Sequence, residues 1–66
     1  MLTRDRPPER DWRVHVFYRN ANGEREETFD VTAPHEDMAL DIAERRLRNK
    51  PQRAHVRITY MEAVTL

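Results

Sequence analysis

Residues Trp12, Val14, Val16 and Tyr18 alternate with Arg13, His15 and Phe17, and this period-two run leads into the dipeptide Asn22-Gly23. Alternation puts successive side chains on opposite faces of a pleated strand, and Asn-Gly suits a tight hairpin turn whose two central residues take positive φ. A second β-like run begins immediately afterwards, so residues 12–33 are predicted to form a hairpin. With Asn22 and Gly23 as the loop, Val16 is set opposite Phe29, Val14 opposite Val31 and Trp12 opposite Ala33. The other face then sets Arg19 against Glu26, His15 against Asp30 and Phe17 against Thr28. A slip of one residue would set Val16 against Thr28 and mix the two faces.

After Val31 the period changes. Met38, Ala39, Ile42, Ala43 and Leu47 recur at spacings of three and four, which predicts a helix over about residues 34–48. Pro34 suits its first turn, Glu36 and Asp37 complement the N-terminal dipole, and Asn49 with Pro51 ends it. Asp41 to Arg45 and Glu44 to Arg48 are favourable i,i+4 pairs on the opposite side. Alternation returns near Ala54, with Val56, Ile58 and Tyr60 on one face and His55, Arg57, Thr59 and Met61 on the other. The first parity continues to Val64 and Leu66, so the third strand either overhangs its neighbours or peels away at its end.

The order ββαβ, with a right-handed crossover, predicts an α+β domain. Its three-stranded antiparallel sheet has spatial order 2-1-3, and the helix packs on one face. Sixty-six residues allow one domain, expected over residues 12–66, with a core of about a dozen apolar side chains. Ordering a chain costs about 1.5 kcal/mol per residue, so stability is marginal and self-association is one available staple. Disulfides are not, because there is no cysteine. The first eleven residues, MLTRDRPPERD, combine adjacent prolines with alternating charge and are expected to be a flexible arm. They do not resemble a signal peptide, and no apolar run reaches the roughly 20 residues needed to span a bilayer, so a cytoplasmic location is expected.

Formal neutrality hides a segregation of charge. From Glu24 to Glu44 there are eight acidic residues and one basic residue, Arg25; from Arg45 to Arg57 there are six basic residues and no acid. In the predicted topology Arg19, Arg25, Arg45, Arg46, Arg48, Lys50 and Arg53 converge at one pole, which either neutralises the helix dipole or forms an anion site for phosphates or an acidic protein surface. The helix-free sheet face carries Arg13, His15, Phe17, Arg19, His55, Arg57, Thr59 and Met61. Cations around an aromatic resemble the stacking platforms of single-stranded nucleic-acid binders, although Glu26 and Asp30 oppose phosphate there. The partner-binding candidates are Arg19, Arg45, Arg46, Arg48, Lys50 and Arg53 at the pole, with Phe17 and Arg57 on the face.

Neither catalysis nor a bound cofactor is expected. The chain has no serine, no cysteine and no glycine-rich phosphate loop, and its three histidines, His15, His35 and His55, lack the spacing of a metal site. No small-molecule substrate suggests itself.

The run Thr28-Phe29-Asp30-Val31-Thr32-Ala33, followed by Met38-Ala39, Ile42-Ala43 and Leu47, resembles a widespread type of small ββαβ protein of phages and mobile elements, some of them anti-CRISPR inhibitors. The resemblance covers about residues 12–60 and implies an accessory or inhibitory role, with no site residues to transfer. Two functions follow as expectations: a non-enzymatic domain that binds a protein, itself included as a homodimer, or a nucleic-acid-binding module using the basic pole and the open sheet face.

Overall fold

In the computed structural model, described over residues 8–66, the chain runs through strands β1 (Arg10–Asn20) and β2 (Gly23–Ala33), helix α1 (Glu36–Arg48), a 3-10 turn (Pro51–Arg53) and strand β3 (Arg57–Thr65). The three strands form one antiparallel sheet in the order β2-β1-β3, with α1 packed on one face, which is the predicted ββαβ architecture. Order extends further toward the N-terminus than expected, since Arg10 and Asp11 already pair with β2. Residues 1–7 of the expected arm lie outside the described residues.

The hairpin forms, but its register differs from the expected one by two residues. Asn20 pairs with Gly23, so Ala21 and Asn22 are the loop residues. The expected pairs Val16–Phe29, Val14–Val31, Trp12–Ala33, Arg19–Glu26, His15–Asp30 and Phe17–Thr28 are replaced by Val16–Glu27, Val14–Phe29, Trp12–Val31, Arg19–Glu24, His15–Thr28 and Phe17–Glu26. No non-glycine residue takes positive φ among the described residues, which rules out a type I′ turn over Asn22-Gly23; the single positive value, 115°, falls on Gly23. This suits a turn followed by a left-handed glycine. Asn20 closes it by accepting a hydrogen bond from the Asn22 amide at 2.8 Å. A two-residue offset keeps every side chain on its original face, so alternation alone could not distinguish the two registers. Charge pairing favours the observed one, in which Arg13 meets Asp30 at 3.0 Å and Arg19 meets Glu24 at 2.8 Å.

Helix α1 starts at Glu36, with His35 at the N-cap and Pro34 outside, two residues later than predicted. Ala39, Ala43 and Leu47 are buried against the sheet, Leu40 and Ile42 are half-buried, and Met38 is exposed despite its place in the apolar spacing. Two alanines on the contact face let the helix axis approach the strands closely. The core is completed by Trp12, Val14, Val16 and Tyr18 of β1 and Val31 and Ala33 of β2. The buried Trp12 indole donates to the Ala33 carbonyl at 2.8 Å, so the one polar atom of that ring is satisfied inside the core.

Strand β3 departs most from expectation. It begins at Arg57 rather than Ala54, because Pro51 opens a 3-10 turn. It also contains a bulge: Phe17 pairs with Tyr60 and Tyr18 with Ile58, which leaves Thr59 as the extra residue. The Thr59 hydroxyl donates to the Phe17 carbonyl at 3.2 Å and so occupies a ladder position that the bulge would otherwise leave empty. Beyond the bulge the parity is reversed. Met61 and Ala63 sit on the helix side opposite Val16 and Val14, while Tyr60, Glu62 and Val64 lie on the open face opposite Phe17, His15 and Arg13. No residue of β3 is fully buried, in contrast to four of β1.

Candidate functional site

The basic pole assembles around a carboxylate. Glu27 lies on the helix side of β2, opposite Val16, where its neighbours of the same parity are Phe29 and Val31. Its oxygens accept hydrogen bonds from Tyr18 Oη at 3.0 Å and Lys50 Nζ at 3.1 Å, and they form an ion pair with Arg53. Arg53 Nε also donates to Tyr18 Oη at 2.9 Å. Burial pushes the Glu27 carboxyl up, but the hydrogen bonds from Lys50 and Tyr18 and the charges of Arg53 and Lys50 outweigh it, so the group titrates below its ordinary value. Arg53 is held above its own ordinary value, first by the hydrogen bond with Tyr18 and then by the charge of Glu27. Lys50 and Arg53 also lie 5.9 and 6.0 Å from the ring centres of Phe29 and Tyr18, within cation–π range.

The other pole candidates are occupied in the same way. Arg48 donates to Glu44 at 3.1 Å and to the carbonyls of Ala54 and Val56 at 3.1 Å each, which ties the helix end to the segment entering β3. Arg46 donates to the Asp30 carbonyl at 3.0 Å and fastens the helix to β2. Arg45 pairs with Asp41 at 2.7 Å, and Arg19 with Glu24. Six of the seven cations expected at the pole therefore have an ion-pair or carbonyl partner beyond their immediate neighbours, whereas Arg25 donates only to the carbonyl of adjacent Glu24, at 3.3 Å. The expected Glu44–Arg48 pair forms, and Arg48 adds two carbonyl partners to it, so Arg46, Arg48, Lys50 and Arg53 join the helix, the hairpin and the segment entering β3.

The open sheet face reads differently from the prediction because of the bulge. Its pairs are Arg13–Asp30, His15–Thr28, Phe17–Glu26 and Arg19–Glu24 on the β2 side. Tyr60, Glu62, Val64 and Arg57 line it on the β3 side. Met61 leaves this face for the helix side, and His55 precedes β3 altogether. His15 Nδ1 lies 2.9 Å from Glu26 Oε2 and 3.4 Å from Thr28 Oγ1, not against Asp30. Asp30 instead titrates below its ordinary value through its hydrogen bond with Arg13. Asp11, Glu24, Glu26, Asp30 and Glu62 outnumber Arg13, Arg19 and Arg57 on this face, and acidic excess disfavours phosphate. Phe17 and Tyr60 form a tilted pair with ring centres 5.8 Å apart. Arg57 stands beside them, opposite Arg19, with no ion-pair partner among the described residues.

Among the described residues four large apolar side chains are exposed: Met38 at 46%, Tyr60 at 56%, Val64 at 43% and Leu66 at 64%. Three belong to β3 and its immediate continuation, where the Leu66 amide still donates to the Asp11 carbonyl at 2.9 Å. Alternation gave Tyr60, Val64 and Leu66 the parity of the helix side and left the strand end to overhang or peel away; the strand instead stays paired to Thr65, and the bulge turns these residues to the open face. Sequence reasoning also missed Glu27, although its shared parity with Phe29 and Val31 was a readable signal.

No pocket forms among the described residues, no cluster of three potential metal ligands occurs among them, and no helix among them is long and apolar enough to cross a membrane. No protein-family model, no curated protein and no solved structure matches the chain.

Proposed function

We propose that this chain is a non-enzymatic protein-binding domain with an accessory or inhibitory role, and that its contact surface is the outer stripe of β3 together with Phe17. The observation that carries this reading is the concentration of exposed large apolar side chains, Tyr60, Val64 and Leu66, along one edge strand and its immediate continuation. Aromatic residues rimmed by charge are the usual anchors of protein interfaces, and an uncovered apolar patch on a small domain marks a contact site. The basic pole contributes less, since Arg46, Arg48, Lys50 and Arg53 are engaged in holding the fold together. The nucleic-acid alternative rests on Arg57 beside the Phe17–Tyr60 pair and is opposed by the carboxylates around it.

The test is capture on the immobilised chain from an extract of the source cell, with and without nuclease. Tyr60→Glu combined with Val64→Glu is expected to reduce the bound protein at least tenfold, whereas Arg45→Glu leaves it unchanged. A bound set that disappears with nuclease, or that persists in the double variant, would overturn the assignment of this surface.

A further inference from the structure

The two edges of the sheet are unequal. On β2, Glu24, Arg25, Glu26, Glu27 and Asp30 crowd the strand with charge, and Arg46 already occupies the Asp30 carbonyl. Charges and covered carbonyls are how proteins prevent edge-to-edge pairing. From Tyr60 to Thr65, β3 has neither proline nor lysine and only one charge, Glu62. Its helix side is only half covered as well, since Ile58, Met61 and Ala63 are partly buried. Among the described residues, this strand has no neighbour at its outer edge and lacks full cover on both faces.

We infer that the occupant of this edge is a second copy of the same chain, whose β3 pairs antiparallel with β3 across a two-fold axis at Ala63. The inference deepens the protein-binding reading and rests on it. Hydrogen-bond direction limits the register. Leu66 donates inward to Asp11, so in an antiparallel ladder Leu66, Val64, Glu62 and Tyr60 bond to β1, and the amides and carbonyls of Met61, Ala63 and Thr65 point outward.

A two-fold at Ala63 sets these free groups against their complements, Ala63 against the partner's Ala63 and Met61 against the partner's Thr65. On the open face it sets Tyr60 opposite the partner's Leu66 and extends the Phe17–Tyr60 pair into a longer apolar row. It also sets Glu62 opposite the partner's Val64. An axis one residue earlier would place Glu62 directly against the partner's Glu62, a like-charge pair that destabilises a sheet. Self-pairing therefore satisfies the edge, gives the side chains of the exposed stripe cross-strand neighbours and keeps the one edge charge away from its own image. Isologous contact of this kind closes at two chains and leaves the charged β2 edges outside.

The chain has no cysteine, so a single introduced one reports on the interface alone. Directly opposed hydrogen-bonded residues have Cα atoms about 5.5 Å apart, within disulfide reach. Under oxidation Ala63→Cys is expected to give predominantly covalent dimer. Met61→Cys alone is expected to stay monomeric, and an equimolar mixture of Met61→Cys with Thr65→Cys to cross-link. Wild-type chain should sediment as a dimer at a concentration of about 0.5 mM, above the Kd of even a weak interface.

A monomeric wild-type mass at that concentration, or cross-linking of Met61→Cys as efficient as that of Ala63→Cys, would overturn the inference. The protein-binding reading falls on a different result, a captured set indifferent to the Tyr60 and Val64 substitutions, so the two failures are distinguishable.

Discussion

Glu27 occupies a helix-side position of β2 yet carries a charge, and its side chain is only 19% exposed. Its partners Tyr18, Lys50 and Arg53 come from β1 and from the segment after α1, so one carboxylate joins three parts of the chain. Because its folded pKa is depressed, Glu27 contributes stability that is present above the unfolded value, near 4.5, and is lost as pH falls through the lower folded value. Glu27→Gln is expected to cost about 1–2 kcal/mol at pH 7, less than breaking a fully buried pair because Lys50 and Arg53 reach water. Stability measured by urea titration from pH 7 to pH 2 should then fall less steeply in the variant. The slope that remains includes Asp30, which is also depressed. Equal stability of the two proteins at pH 7 would show that the network contributes nothing net.

The same comparison separates the pole's arginines. Arg45 is exposed and touches only Asp41, so Arg45→Glu should cost about 0.5–1 kcal/mol through the lost pair and the helix dipole. Arg48→Glu strips donors from the carbonyls of Ala54 and Val56 and sets a second carboxylate beside Glu44, for an expected loss of about 2–3 kcal/mol. Similar urea midpoints for the two variants would mean that Arg48 is not structural.

At the scale of elements, the bulge at Thr59 decides which side chains β3 shows to solvent. Ile58 and Tyr60 already occupy the faces that adjacent residues of a regular strand would occupy, so removing Thr59 should leave every other side chain on its present face. Its deletion is expected to be tolerated at a cost of about 1 kcal/mol, the value of the hydroxyl bond to Phe17. Deleting Glu62 should be far more damaging, because Met61 and Ala63 could no longer both face the helix. Urea midpoints in the opposite order would refute the bulge.

The element order, the helix and the strand arrangement were readable in the sequence, since each rests on apolar spacing that survives small shifts. Register and bulge were not. A two-residue offset of the hairpin leaves the pattern unchanged. An extra residue in β3 reverses all later faces without any glycine or proline to announce it. The candidate site inherited that error: Phe17 and Arg57 do lie on the open face, whereas the parity of Tyr60, Val64 and Leu66 pointed to the helix side and left the path of the last residues open. The basic pole was visible as composition, but the carboxylate at its centre was counted only as part of an acidic block.

At the scale of the whole molecule, the nine buried apolar residues among those described, three of them alanine, make a small core, and β3 adds nothing fully buried to it. At about 1.5–3 kcal/mol for each larger side chain, such a core leaves little margin over chain entropy. A dimer formed through β3 would supply what is missing by mass action, because association stabilises only folded chains. Thermal unfolding should therefore depend on concentration. Each tenfold increase stabilises an associated pair by about 1.4 kcal/mol, or half that per chain, which for a domain of this size corresponds to a rise in Tm of about 3–6 °C. The dependence should vanish in the Tyr60→Glu, Val64→Glu variant, whose Tm should match that of dilute wild-type chain, since neither side chain is part of the buried core. A Tm constant between about 5 μM and 0.5 mM in the wild type would show that the core is sufficient by itself and that the exposed stripe of β3 serves a partner other than its own copy.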